Sequence, residues 1–353
     1  MVKLAALGNS EGNAQEEDFY AALIRDPRFA REVGNVVVEF GAGAHQNILD
    51  RYLNGAEVPF NDLRKVWSDL VGYDFPADIG LINFFVTVRD VNSKLPPERR
   101  IHVWAGEPPI DWSKITRGMP PPPAPGTKPP PPLARGANLP PPTEADFGFW
   151  IGQRDSYPAG IIESKILANN KKALVIYGDG HFYGEGSLLG QVEKKHPNAI
   201  FRVHMYTGFA TKPCTDEFER SIRGWTAPAL AMPIRASFLA GKLSNPKCGV
   251  MPGAIMMFGP STDEAHKARM IAEDEQMASG VNSDALLYLG KSATLTQSPF
   301  EPSIYLDPEY RREMNRHAAF GQDMELSGRA PLRLPMTDAL VELNPVAPQY
   351  AHH

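Results

Sequence analysis

Cysteine is nearly missing from this chain: Cys214 and Cys248 are the only two in 353 residues. That count excludes a disulfide-built scaffold and a multi-cysteine zinc site, and leaves either one bridge, if the chain is exported, or two separate thiols. Long apolar runs are missing too, since none reaches the ~20 residues that span a bilayer. The N-terminus has no basic region, apolar stretch and cleavage site in succession, so no signal peptide is expected. Residues 2–7 already read as a strand, however, so a trimmed leader and a periplasmic or secreted location stay compatible with the sequence. Cations are not in excess. The 36 Lys and Arg stand against 41 Asp and Glu, a net charge of −5, which argues against a nucleic-acid partner because neutralising phosphates needs a basic surface. The glycine-bounded loop after the first strand has neither Gly-x-Gly-x-x-Gly nor the P-loop Lys-Ser/Thr ending, internal repeats are lacking, and nothing sets an oligomeric state.

What is present is an alternation of buried strands and helices. Apolar runs at residues 4–7, 35–40, 101–106, 173–177, 199–204 and 284–290 are mostly bounded by glycine or turn residues. Unbroken runs of this kind fit parallel strands covered on both faces. Between them, a segment with Phe19, Leu23 and Ile24 reads as helical up to Asp26-Pro27, as do residues 47–53, 63–70, 159–169, 187–195, 263–278 and 307–319, while 80–88 is simply apolar. The expectation is a single α/β domain over residues 1–353, built on a mainly parallel sheet flanked by helices, whose last strand, 284–290, closes the sheet. Three stretches depart from this pattern: a proline-rich insertion at 118–148 with two runs of four prolines, an irregular or helical insertion at 208–282, and an extended tail at 320–353. Proline cannot donate to a ladder and favours polyproline II. The insertion therefore reads as a stiff, lid-like surface excursion or as a ligand for a proline-binding module.

Ligands of open α/β sheets bind beyond the carboxyl ends of the strands. The run at 173–177 ends in Gly178-Asp179-Gly180-His181, which delivers Asp179 and His181 to that edge. Glu39 ends a run of three valines, where a carboxylate is costly to bury without a site role or a partner such as Arg154. The loop after the first strand, Gly8-Asn9-Ser10-Glu11-Gly12, offers Asn9, Ser10 and Glu11. It also matches Gly-x-Ser-x-Gly between a strand and a helix, the setting of a nucleophile elbow at Ser10. Such an elbow normally follows several strands, and Asp179 and His181 stand too close in sequence to supply both triad partners. Glu107 and Asp111 follow the third strand, with Asp111 equally suited to a turn. Arg154 can grip a carboxylate, Asp155 can cap a helix, and His204 ends a strand. His45 and His266 read as surface or helix residues, and Cys214 has no evident catalytic partner.

The order of these motifs, a glycine turn after strand one, Val38-Glu39-Phe40, the pair Arg154-Asp155 before a helix, and Gly178-Asp179-Gly180-His181, resembles the erythromycin esterase and ChaN-like superfamily, which also includes the Tiki-type metalloproteases. The resemblance spans about residues 4–208 and the strand at 284–290, and leaves out the proline-rich stretch and residues 208–282. It implies an α/β sandwich, a bacterial setting, and relatives that open macrolide lactones, cleave peptides with a metal, or bind haem. In the hydrolytic members the first loop supplies a glutamate and a histidine, the second strand a glutamate, and the late motif a histidine. Glu39 and His181 match the last two; Asn9 stands at the first-loop glutamate and Glu11, with a one-residue gap, at the histidine. The resemblance thus implies a hydrolase of an ester, lactone or amide in a small-molecule substrate. Glu11 or His181 would activate water, Glu39 would orient it, and Arg154 would steady negative charge. Asn9, Ser10, Asp179, Asp111 and His204 would line the ligand site. Glu11, Glu39 and His181 would suit a zinc, manganese or iron ion. The altered first loop keeps a second expectation open, a non-catalytic protein binding haem, a metal or a small ligand on the same fold.

Overall fold

All six strand-like runs form strands in the computed structural model, joined by one that no apolar run announced, and β1 (Leu4–Asn9) lies at the centre of the sheet. The others are β2 (Asn35–Ala42), β3 (His102–Glu107), β4 (Ala173–Gly178), β5 (Ile200–Met205), β6 (Ala229–Ala231) and β7 (Ala285–Tyr288). They make one seven-stranded sheet in the order β3-β2-β4-β1-β5-β7-β6. All neighbours are parallel except β6 and β7. The structure describes residues 2–9, 12–71, 78–118, 142–209, 211–234, 236–243, 248, 283–299 and 306–321. The 263–278 helix expectation, most of the proline-rich insertion and nearly all of the tail lie outside them.

The first helices are α1 (Ala14–Arg25), α2 (Pro27–Glu32), α3 (Gln46–Leu53), α4 (Phe60–Leu63), α5 (Lys65–Ser68) and α6 (Ile79–Ser93). After β3 come α7 (Phe147–Ile151), α8 (Ser156–Ile161), α9 (Leu188–Lys195), α10 (Lys212–Ser221), α11 (Phe238–Leu243) and α12 (Pro308–Gly321). Strand alternation sends successive side chains to opposite faces. Val36, Val38, Leu174 and Ile176 join Tyr20 and Ile24 of α1 and Phe84, Phe85 and Val88 of α6 in one core. Val37, Val175 and Tyr177 join Ala159 of α8 and Leu188, Leu189 and Val192 of α9 in the other. Each such side chain contributes ~1.5–3 kcal/mol on full burial, so two-sided coverage accounts for the unbroken apolar runs. Among the described residues no helix is long and apolar enough to cross a membrane.

Local chemistry explains where the elements differ from the sequence expectations. Pro27 opens α2 because its missing N–H falls at a position without an intrahelical partner, and the Asp26 carboxylate accepts from Arg28 N at 2.8 Å. The segment at 63–70 divides into α4 and α5, and the apolar stretch at 80–88 lies within α6. The helix expected at 159–169 is α8 followed by a π-turn, Ile162–Ile166, and a 3-10 turn, Leu167–Asn169; Asn170 ends it at φ 54°. The strand at 284–290 does not close the sheet, because β6, too short and exposed to leave an apolar signature, pairs outside it. Cys214 on α10 is bridged to Cys248 across a separation of 34 residues.

Candidate functional site at the strand ends

Glu39 lies near the carboxyl end of β2, on the face opposite Val38 and Phe40. Its Oε2 accepts a hydrogen bond from Gly178 N at 2.7 Å, at the end of neighbouring β4. Its Oε1 accepts from Arg154 Nη2 at 2.6 Å and lies 3.2 Å from His181 Nε2. Arg154 Nε donates to Glu107 Oε1 at 2.8 Å, at the end of β3, and Glu107 Oε2 accepts from Val71 N at 3.2 Å. On the other side of the imidazole, His181 Nδ1 is 2.8 Å from Asp155 Oδ1, which also accepts from Leu188 N at 2.7 Å. The result is a chain of alternating charge: Asp155, His181, Glu39, Arg154, Glu107.

Each ring nitrogen of His181 faces a carboxylate oxygen, which can only accept, so both carry hydrogen and the ring is an imidazolium. Burial works against that charge, but Glu39 and Asp155 lift the His181 pKa to about 10. Burial likewise opposes the charge on Glu39, yet His181, Arg154 and the Gly178 N–H hold its carboxyl at about 2. Burial pushes Glu107 upward; Arg154 opposes this and the charge on Glu39 adds to it. Arg154, partly buried, has its pKa raised by Glu107 and Glu39 against desolvation. The phenol of Tyr177 lies against this network, its oxygen buried without a hydrogen-bond partner and its pKa driven up chiefly by burial. Gly106 makes room for it, since a Cβ there would stand 1.8 Å from the Tyr177 oxygen.

Asp179 and His204 form a second pair beside the first. Asp179 Oδ2 is 2.9 Å from His204 Nδ1, so that nitrogen carries a hydrogen, and Nε2 is the ring atom left facing away from Asp179. The remaining sequence candidates are placed differently. The Asn9 backbone ends β1 opposite Gly178, while Ser10 and Glu11 lie outside the described residues. Asp111 accepts from Ser113 N at 3.1 Å and pairs with Lys114 at 3.0 Å in an exposed turn away from the cluster. Arg154, read from sequence as gripping a carboxylate on either the substrate or Glu39, is held by Glu39 and also by Glu107. A groove of about 420 Å³ beside β6, lined by residues including Trp225, Leu230, Met232 and Phe238, shares no residue with this site.

The described members of the metal set expected from sequence do not fit an ion. Both Glu39 oxygens are engaged, one by a guanidinium, and both His181 nitrogens face carboxylates as donors. Sequence reasoning underweighted two members of the network. Glu107 carried the same signal as Glu39, a carboxylate at a strand end. Asp155 was legible as a helix cap, but it makes no cap bond to α8 and instead serves the start of α9. Two further carboxylates left no sequence signal: Glu17 in the first turn of α1 and Asp78 before α6 are both buried. Burial pushes Glu17 to about 7 and Asp78 to about 8, the latter with the help of Glu17.

Fold and site together define a class: an α/β protein with a mainly parallel sheet and a carboxylate–imidazolium–guanidinium network at the strand ends. No protein-family model, curated protein or solved structure gives a significant match to the chain.

Proposed function

We propose that this chain hydrolyses an ester, lactone or amide bond of a small molecule, as its resemblance to the erythromycin esterase and ChaN-like superfamily implies. The observation that carries the reading is the pair of histidines at the carboxyl ends of β4 and β5, on either side of β1, each held by a carboxylate. His181 is an imidazolium between Glu39 and Asp155, and His204 is oriented through Nδ1 by Asp179. Acid and base assignments in hydrolytic sites follow from such a separation of environments. In the reaction, water gives a proton to His204 Nε2 as its oxygen bonds to the carbonyl carbon. The positive charge of the His181 imidazolium, whose two N–H groups stay on Glu39 and Asp155, steadies the developing oxyanion, and His204 Nε2 passes its proton to the leaving alkoxide or amine as the carbon–heteroatom bond breaks. The carboxylic acid product gives its proton to solvent, which closes the cycle. Arg154 acts through Glu39, holding its carboxylate against the imidazole. Glu11 is a further candidate base from the first loop.

The test is a panel of esters, lactones and amides with wild-type protein, Glu39→Gln, His181→Asn and His204→Ala. Removing a general acid or base lowers kcat by on the order of 10²–10⁴. Undiminished turnover in folded His181→Asn and Glu39→Gln protein would overturn the reading. The second reading, a non-catalytic small-ligand binder, is favoured by Glu11 standing where hydrolytic relatives have histidine. It predicts saturable binding without turnover. The Cys214–Cys248 bridge accords with either activity in an oxidising compartment.

A further inference from the structure

Helix α12 returns to the domain far along the chain and brings His317 against Trp112, their rings stacked 3.9 Å apart at 9°. His317 is only 2% exposed, yet its Nδ1 is left without a well-formed hydrogen bond, the backbone of Ser68 being near enough to the ring only to pull its pKa upward. The neighbour of Nε2 is the guanidinium of Arg316 at 3.3 Å, on an exposed residue. A buried imidazole in this state is costly unless something else completes its bonding. Glu313 lies one helical turn earlier, at the i, i+4 spacing that places two side chains on one helix face. Across from them stands Asp69, the residue after α5. One ligand atom from each of Asp69, Glu313 and His317 lies within 4.8 Å of the other two.

We propose that Asp69, Glu313 and His317 bind a divalent transition-metal ion of the zinc class, which fastens α12 to the end of α5. Bonds of about 2.1 Å put ligand atoms no more than about 4.2 Å apart around such an ion, so small side-chain shifts close the trio on it. An imidazole with two carboxylates selects borderline ions over the all-oxygen preference of calcium and magnesium. The carboxylate of Asp69 is already oriented: Oδ2 is 2.6 Å from His45 Nε2 and Oδ1 accepts from Ser68 Oγ at 3.2 Å. Hydrogen-bonded carboxylates of this kind are what surrounds ligating groups in built metal sites. His45, read from sequence as a surface or helix residue, thus becomes a positioning residue. Two other contacts bring α12 to the same place, Arg64 Nη1 to Asp307 Oδ2 at 2.6 Å and Phe320 beside Trp112. The ion would complete a clasp, independently of the proposed hydrolysis.

Full-length protein stripped of metal and titrated with Zn²⁺ by calorimetry should show a site whose affinity falls at least tenfold in Glu313→Gln, an exposed position where the swap leaves the core untouched, and in His317→Ala. His45→Ala should show a smaller loss, and His181→Asn none. Zn²⁺ should raise the Tm of wild type and leave that of Glu313→Gln unmoved, and Co²⁺ should give visible absorption bands in wild type alone. Absence of Zn²⁺ binding in wild type, equal binding in Glu313→Gln, or preference for Ca²⁺ over Zn²⁺ would each overturn the proposal.

Discussion

Asp179 reaches His204 by passing its carboxylate over Gly8. One residue follows β4 and the other belongs to β5, and β1 runs between those two strands. A Cβ on Gly8 would stand 1.9 Å from Asp179 Oδ1. Glycine in the middle of a buried strand weakens the strand itself, so its place here is explained by the carboxylate it admits.

Gly8→Ala should therefore displace Asp179 and release His204. The overpacking should cost about 1–3 kcal/mol in denaturant unfolding. Its effect on turnover should resemble that of Asp179→Ala, which leaves the strand unstrained but deprives His204 of its orienting acceptor. Nitrogen-15 spectra of the imidazoles would read the change directly, as loss of the fixed Nδ1–H tautomer of His204 in both variants. A His204 signal that stays the same would count against the pair.

Arg154 separates two buried carboxylates, Glu39 and Glu107. Removing one partner of a buried pair leaves an uncompensated charge and costs about 3–5 kcal/mol. Arg154→Ala should lose about that much, and Arg154→Lys should recover only part, because a point charge cannot use the Nε and Nη2 geometry that serves both acceptors. Chemical denaturation at neutral pH measures both. A loss under 1 kcal/mol in Arg154→Ala would contradict this arrangement.

The two groups of buried carboxylates should respond to pH in opposite senses. Glu39, held at about 2, contributes stability that is present above its unfolded value near 4.5 and is lost as pH falls toward 2. His181, held at about 10, contributes stability that is complete below its unfolded value near 6.5 and is lost as pH rises through 10. Glu17 and Asp78 are raised instead, to about 7 and about 8, so the folded state binds more protons than the unfolded one between about 4 and 8 and loses stability across that range as pH rises. Glu17→Gln or Asp78→Asn should make the protein more stable than wild type at pH 8 and little changed at pH 4. Urea midpoints at several pH values would show it, and equal midpoints at pH 8 would argue against the pair.

Reduction should matter as well. The Cys214–Cys248 bridge closes a loop over a separation of 34 residues, for which chain entropy predicts on the order of 3–4 kcal/mol. Thermal melting with and without reductant, alongside the double Cys→Ser variant, should show a lower Tm in both treated samples. Coincident melts would mean that the bridge does not constrain the unfolded chain.

Most of the sheet was legible in the sequence because burial on both faces writes itself into consecutive residues. Val36, Val37 and Val38 announce β2, and the run from Ala173 to Tyr177 announces β4. Only β6, three residues long with Leu230 exposed, carried no such pattern. Glu39 and His181 were also visible, since a charged or titratable residue ending an apolar run contradicts its surroundings. Asp78 and Glu17 were not, because Glu17 stands in a polar stretch and Asp78 directly precedes an apolar one, as an exposed helix-start residue would, and each is buried only by what folds over it.

By itself, then, the sequence determined which segments become strands and which polar groups reach their carboxyl ends. Tertiary structure decided the partners. Arg154 meets Glu39 across 115 positions, Asp155 leaves its own helix for His181, and β1 comes to lie between Asp179 and His204. The reason is physical: periodic burial is a property of neighbouring residues, whereas the charge state of an imidazole depends on which carboxylates the strand order brings within about 3 Å of it.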